Sequence, residues 1–136
     1  MTNIYNLFKF LEKKRGTKTP LKMKFIYTPD ELTDEDLKVK GNLDLLNTKI
    51  TSLPDNLQVG DSLFLDNTPI TSLPDNLQVG DSLFLANTPI TSLPDNLKVG
   101  GYLYLSDTPL AEKYTKDEIR KMIEDKGGYV KGKIYA

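Results

Sequence analysis

The segment TSLPDNLQVGDSLFL occupies residues 51–65 and recurs, unchanged, at 71–85. No other feature constrains this chain so much, because a repeat fixes the architecture before any local propensity is weighed. A shift of 20 residues aligns Val39, Val59, Val79 and Val99, then Leu43, Leu63, Leu83 and Leu103, then Leu45, Leu65, Leu85 and Leu105. Thr48, Thr68, Thr88 and Thr108 form a further column, followed by Ile50, Ile70, Ile90 and Leu110. Residues 50–69 and 70–89 differ at one position, Asp66 against Ala86. A single 20-residue coil cannot bury its own apolar side, but stacked coils can, with parallel strands about 4.8 Å apart.

Within each repeat, SLFL or its equivalent reads as one strand, its two leucines inward and the residue between them outward. Gly60, Gly80 and Gly100 precede these strands, where a tight corner calls for positive φ. SLPDNL is too short and too proline-marked for a full helix. Residues 19–38 read as a degenerate first rung, with Met23, Phe25, Thr28 and Leu37 in the columns of Leu43, Leu45, Thr48 and Leu57. Residues 39–113 hold the regular repeats, and 114–136 a capping helix and a last short strand, VKGKIYA. That helix spans 114–128: Thr115 caps it with Glu118 three residues on, Ile119, Met122 and Ile123 share a face, and Gly127–Gly128 end it. Ile4, Leu7, Phe8 and Leu11 give residues 2–15 an amphipathic helical pattern within an N-terminal cap, 1–18. The whole is predicted to be one domain, a repeat solenoid of stacked parallel strands with helical caps at both ends.

The pattern L-x-L-x-x-T-x-I-x-x-L-P, as in LFLDNTPITSLP, resembles the leucine-rich repeat, in its short 20-residue bacterial and phage form. The resemblance covers roughly residues 19–113, with the full pattern in 43–110. Threonine stands at 48, 68, 88 and 108 where that family usually has asparagine, and glycine where a leucine usually opens the repeat. A threonine hydroxyl can still bond to backbone at the turn. The resemblance implies a right-handed leucine-rich-repeat-like solenoid; a left- or right-handed β-helix of another family is the alternative, and shares the stack of parallel strands.

The resemblance also implies binding through the strand face. Its outward residues run Lys24, Asp44, Phe64, Phe84, Tyr104 and Tyr135; one position earlier lie Lys22, Asn42, Ser62, Ser82, Tyr102 and Lys133. Leu46, Asp66, Ala86 and Ser106 follow the second inward residue. Phe64, Phe84, Tyr104 and Tyr135, with Tyr102 beside them and Asp44 and Asp66 at the margin, are the candidate partner-binding residues, since exposed aromatic patches mark interaction sites. The other reading is architectural: stacked rings stabilise a parallel sheet by themselves, and exact duplication copies Phe64 into Phe84.

Composition removes most chemistry. With no cysteine and no histidine, thiol nucleophiles, disulfides, Cys/His zinc sites and imidazole catalysis are unavailable. Asp55, Asp75, Asp95, Asp61 and Asp81 are turn residues after Pro or Gly, where aspartate bonds local backbone. No catalytic residue, cofactor or metal is expected. Lack of cysteine fits a cytoplasmic protein; the N-terminal apolar patch IYNLFKFL is short, carries Lys9 and is not followed by a small-residue cleavage site, which argues against a signal peptide, and no stretch has the length of a spanning helix. Net charge is −1, but residues 39–110 carry eight acidic against three basic residues, and each flank is +2. An acidic body disfavours nucleic acid. It leaves an alternative function, a phage-type inhibitor of a host defence or DNA-binding enzyme acting through its acidic surface, and a third, self-association through the aromatic patch or an exposed end. The leading expectation is a non-catalytic module that binds a protein partner.

Overall fold

The structure, a computed structural model, describes residues 21–136. It is a β-solenoid with about 20 residues per coil. The amphipathic segment 2–15 lies outside the described residues. The expected strands are β2 (Leu43–Asp44), β4 (Leu63–Phe64), β6 (Leu83–Phe84), β8 (Leu103–Tyr104) and β10 (Ile134–Tyr135), paired in parallel with leucine opposite leucine and, in the last pair, Ile134 opposite Leu103. A second set precedes them: β1 (Lys38–Val39), β3 (Gln58–Val59), β5 (Gln78–Val79), β7 (Lys98–Val99) and β9 (Tyr129–Val130) form their own parallel sheet. Each coil thus contributes one strand to each of two sheets.

Two corners per coil rest on asparagine. Asn47, Asn67 and Asn87, then Asp107, turn the chain after one sheet, and Asn56, Asn76 and Asn96 turn it before the other, all with φ between 57° and 66°. Few residues other than glycine tolerate this left-handed region, and Asn and Asp are among them. Their side chains also bond from coil to coil: Asn67 donates to Asn47 (2.8 Å), Asn87 to Asn67 (2.6 Å), Asn76 to Asn56 (2.9 Å) and Asn96 to Asn76 (2.9 Å). Gly127, at φ 85°, takes this corner in the following coil.

The core lies between the sheets, and its central leucines, Leu63, Leu65, Leu83, Leu85, Leu103 and Leu105, are fully buried. Thr68, Thr88 and Thr108 are buried too, and each hydroxyl donates to the carbonyl three residues back (2.7–2.8 Å), as expected. The glycines differ from expectation. Gly60, Gly80 and Gly100 do not have positive φ. They are needed because a Cβ at each would run into the main-chain carbonyl of the preceding coil, that of Lys40, Gly60 and Gly80 in turn.

The ends close the stack by different means. Residues 21–27, predicted as a strand of the degenerate rung, form helix α1 (Leu21–Tyr27), followed by a short 3-10 turn at Pro29–Glu31. Phe25 and Thr28 are nonetheless buried, so the columns keep their burial while the backbone changes form. A strand here would be an edge, whereas a helix satisfies its own backbone groups. At the other end, Thr108 caps helix α2 (Pro109–Lys113), with Pro109 in its first turn. Helix α3 (Lys116–Asp125) starts with the predicted Thr115–Glu118 capping box and buries Ile119 and Ile123. These helices lengthen the last coil without disturbing its register, since Lys98 pairs with Tyr129 and Leu103 with Ile134. The short final strand predicted in VKGKIYA is present as β10.

Candidate functional site

The alternation of buried leucines with one residue between them sets every second side chain of the β2–β4–β6–β8–β10 sheet outward. Parallel in-register pairing then stacks like positions. Phe64 and Phe84 have ring centroids 4.6 Å apart with planes within 7°; Phe84 and Tyr104 repeat this at 4.6 Å and 5°, and Tyr104 and Tyr135 at 4.8 Å and 11°. The candidate aromatics are therefore one continuous column. Tyr102 stands beside its upper end, edge-on to Tyr104 (6.3 Å) and Tyr135 (5.8 Å). Phe64, Phe84 and Tyr104 are half-buried, while Tyr102 and Tyr135 are 42% and 37% exposed.

This geometry restricts what the column can recognise. Each inner ring has both faces covered by its neighbours, so it presents an edge, the positive rim of its quadrupole, to the outside. Insertion of a flat ligand between rings is closed off. Apolar side chains, carbonyl oxygens and the face of another aromatic ring suit a row of edges.

The margins are only partly as expected. Asp44 continues the column opposite Phe64, exposed, with one carboxylate oxygen accepting the Leu46 N–H at 3.0 Å. Asp66 is half-buried and accepts the Ala86 N–H of the next coil at 2.8 Å. Burial pushes its carboxyl above the ordinary value of 3.8, opposed by that hydrogen bond. Ser62 and Ser82, placed by the sequence on an outward polar margin, are buried. Ser62 accepts the Ser82 N–H (3.3 Å), and Ser82 that of Tyr102 (3.1 Å). Lys22 and Lys24, also placed on the strand face, lie on α1, where Lys24 pairs with Asp36 at 3.5 Å. Asp55 and Asp75 bond backbone as expected of turn aspartates, but that of the next coil: Asp55 accepts the Asp75 N–H (3.3 Å) and Asp75 that of Asp95 (3.1 Å).

The other sheet carries a surface that the sequence reading missed. A groove of about 410 Å³ runs across it, bordered by Gln58 and Gln78 and, towards its ends, by Lys38, Lys40, Lys98 and Lys131. The signal was present as the QVG and KVG triplets, but without the second sheet nothing placed them together.

No family model, curated protein or solved structure matches this chain. Among the described residues, no helix is long and apolar enough to cross a membrane.

Proposed function

We propose that this protein is a non-catalytic binding module that takes a protein partner on the aromatic column of its strand face. The observation that carries this reading is the continuous row Phe64, Phe84, Tyr104 and Tyr135, partly open to solvent, with Tyr102 exposed beside it. Aromatic side chains are over-represented at the centres of protein interfaces, and an apolar row rimmed by polar residues is a surface of that kind. Asp44 and the half-buried Asp66 supply a carboxylate margin at the Phe64 end. The likeness of the repeat to the short leucine-rich repeat adds weight, because that family binds through its strand face, and the Thr hydroxyls at its asparagine position bond to backbone at the turn.

The acidic-surface inhibitor has less to stand on. Asp55, Asp66 and Asp75 each give an oxygen to the backbone of the neighbouring coil, which leaves fewer carboxylates free to imitate a phosphate row.

The test is affinity capture from a bacterial lysate with the parent protein beside Phe64→Ser/Phe84→Ser, followed by mass spectrometry. A partner held by the parent and lost by the variant, with the variant's circular dichroism and cooperative unfolding retained, is the expected result. A partner held equally by both would move the function off the column. Loss of cooperative unfolding in the variant would make the rings architectural.

A further inference from the structure

The main-chain bonds that flank the strand pairs run forward in one sheet and backward in the other, while the paired strand residues return a bond of the opposite sense. In the aromatic sheet the flanking bonds run forward: Leu83 N–H to Tyr102 (2.9 Å), Leu85 N–H to Tyr104 (2.9 Å) and Leu103 N–H to Lys133 (3.0 Å), with Leu105 N–H to Tyr135 closing the set. In the other sheet the flanking bonds run backward: Gly100 N–H to Val79 (2.9 Å), Lys131 N–H to Val99 (3.0 Å) and Gly132 N–H to Gly101 (2.9 Å). In register with these, Val130 and Gly132 turn carbonyls past the last described coil at one edge, and Ile134 and Ala136 turn N–H groups past it at the other, each edge alternating donors with acceptors as a parallel strand does.

Arg120 treats these edges unequally. Its guanidinium donates to Val130 O and, at 2.7 Å, to Gly132 O, the two carbonyls that a following coil would have occupied. The β9 edge is thus capped from α3. The β10 edge is different: in register with Leu103 and Leu105, whose N–H groups donate to the next coil, the Ile134 and Ala136 N–H groups point past the described stack. Beside them lies a groove of about 340 Å³, lined by Lys116, Asp117, Arg120, Lys133, Ile134 and Tyr135. Its lining carries three cations and one carboxylate.

The geometry points to strand addition at β10: an extended segment of a partner protein, parallel to β10 and flanked by acidic residues, becomes the next strand of the aromatic sheet. Its carbonyls accept from Ile134 and Ala136, as Lys133 and Tyr135 accept from Leu103 and Leu105. An aromatic side chain on it stacks on the outer face of Tyr135 and continues the column by one ring. Its acidic ends face Lys116 and Lys133, the charge the groove calls for. This site is distinct from the ring edges of the proposed binding face, because it uses main-chain donors at the end of the stack.

The probe is a blocked hexapeptide, DSLFLD, the sequence that the internal strands themselves carry at 61–66. Titrated into isotope-labelled protein, it is expected to give saturable shifts at the Ile134 and Ala136 amides and to slow their hydrogen exchange. KSLFLK is expected to bind several-fold more weakly. Ala136→Pro removes one donor at an exposed position and is expected to weaken DSLFLD binding about tenfold, one hydrogen bond's worth. Shifts confined to Phe64 and Phe84, unchanged exchange at both amides, or equal binding of KSLFLK would overturn the proposal. So would protection of both amides in the protein alone, accompanied by a doubled mass in light scattering, because a second copy would then be the occupant.

Discussion

One coil supplies both sheets, yet the two surfaces obey different rules. Along the aromatic sheet the outward column accepts Asp44, Phe64, Phe84, Tyr104 and Tyr135 without a change of register. Along the other sheet the column of Gly60, Gly80 and Gly100 admits no side chain, because the preceding coil's carbonyl occupies the space a Cβ would need. Lysine stands in that column at both ends, Lys40 where no described coil precedes it and Lys131 in the coil that the helices lengthen. One face is therefore free to vary its contacts while the other fixes the spacing of the coils. The lesson is that identical repetition in sequence has separate causes on separate faces, backbone clearance on one and side-chain stacking on the other.

The contrast can be broken most sharply at Gly80. Gly80→Ala is expected to destabilise by about 3 kcal/mol, the upper range for overpacking, because the obstruction is backbone and cannot swing aside. Urea unfolding measures it, and a loss below about 1 kcal/mol would erase the distinction between the faces. At the corners joining the sheets, Asn76→Ala should cost about 1–2 kcal/mol through its left-handed backbone. Asn76→Gly removes that strain while still losing the side-chain ladder, so the difference between the two variants separates conformation from hydrogen bonding. On the aromatic sheet, Phe84→Ala should cost about 1 kcal/mol from two lost stacking contacts, with the fold kept.

The smallest effect belongs to Asp66. Its carboxyl is raised above 3.8, so at neutral pH the ionised form penalises the folded state, and the parent gains stability as pH falls through the folded value toward 3.8. Asp66→Asn keeps an oxygen for the Ala86 N–H and carries no charge. It should be slightly more stable than the parent at pH 7, an advantage that shrinks through that window and disappears below it. Paired thermal melts at pH 7 and pH 3 read the difference directly.

Much of this architecture was legible because the columns of Leu, Ile and Thr recur every 20 residues, and burial follows such columns directly. The capping box at Thr115 and the last strand were legible for the same reason, being written in local pattern. What stayed hidden depends on neighbours in the stack. LKMKFIY alternates like a strand and also spaces Leu21 and Phe25 as a helix does; at the edge of the described sheet a helix satisfies its own backbone groups. The seryl pair at 62 and 82 looks outward by alternation, and only the hydrogen bonds between coils show it turned in. Arg120 reads as a surface charge on a helix, and its role emerges once α3 is placed beside the Val130 and Gly132 carbonyls. The aromatic column was fully predicted in membership, whereas the closing of its ring faces was not, since that needs the stacking distance.

The fixed 20-residue offset of the asparagine ladders has a consequence for how such a molecule changes size. Each bond of these ladders joins an asparagine to its own counterpart, so a duplicated coil arrives with its ladder partners already specified on both sides. Length then grows in quanta, one graduation of about 4.8 Å at a time. The molecule is a ruler whose scale is set by backbone clearance, and the near-twin segments 50–69 and 70–89 are two adjacent marks on it.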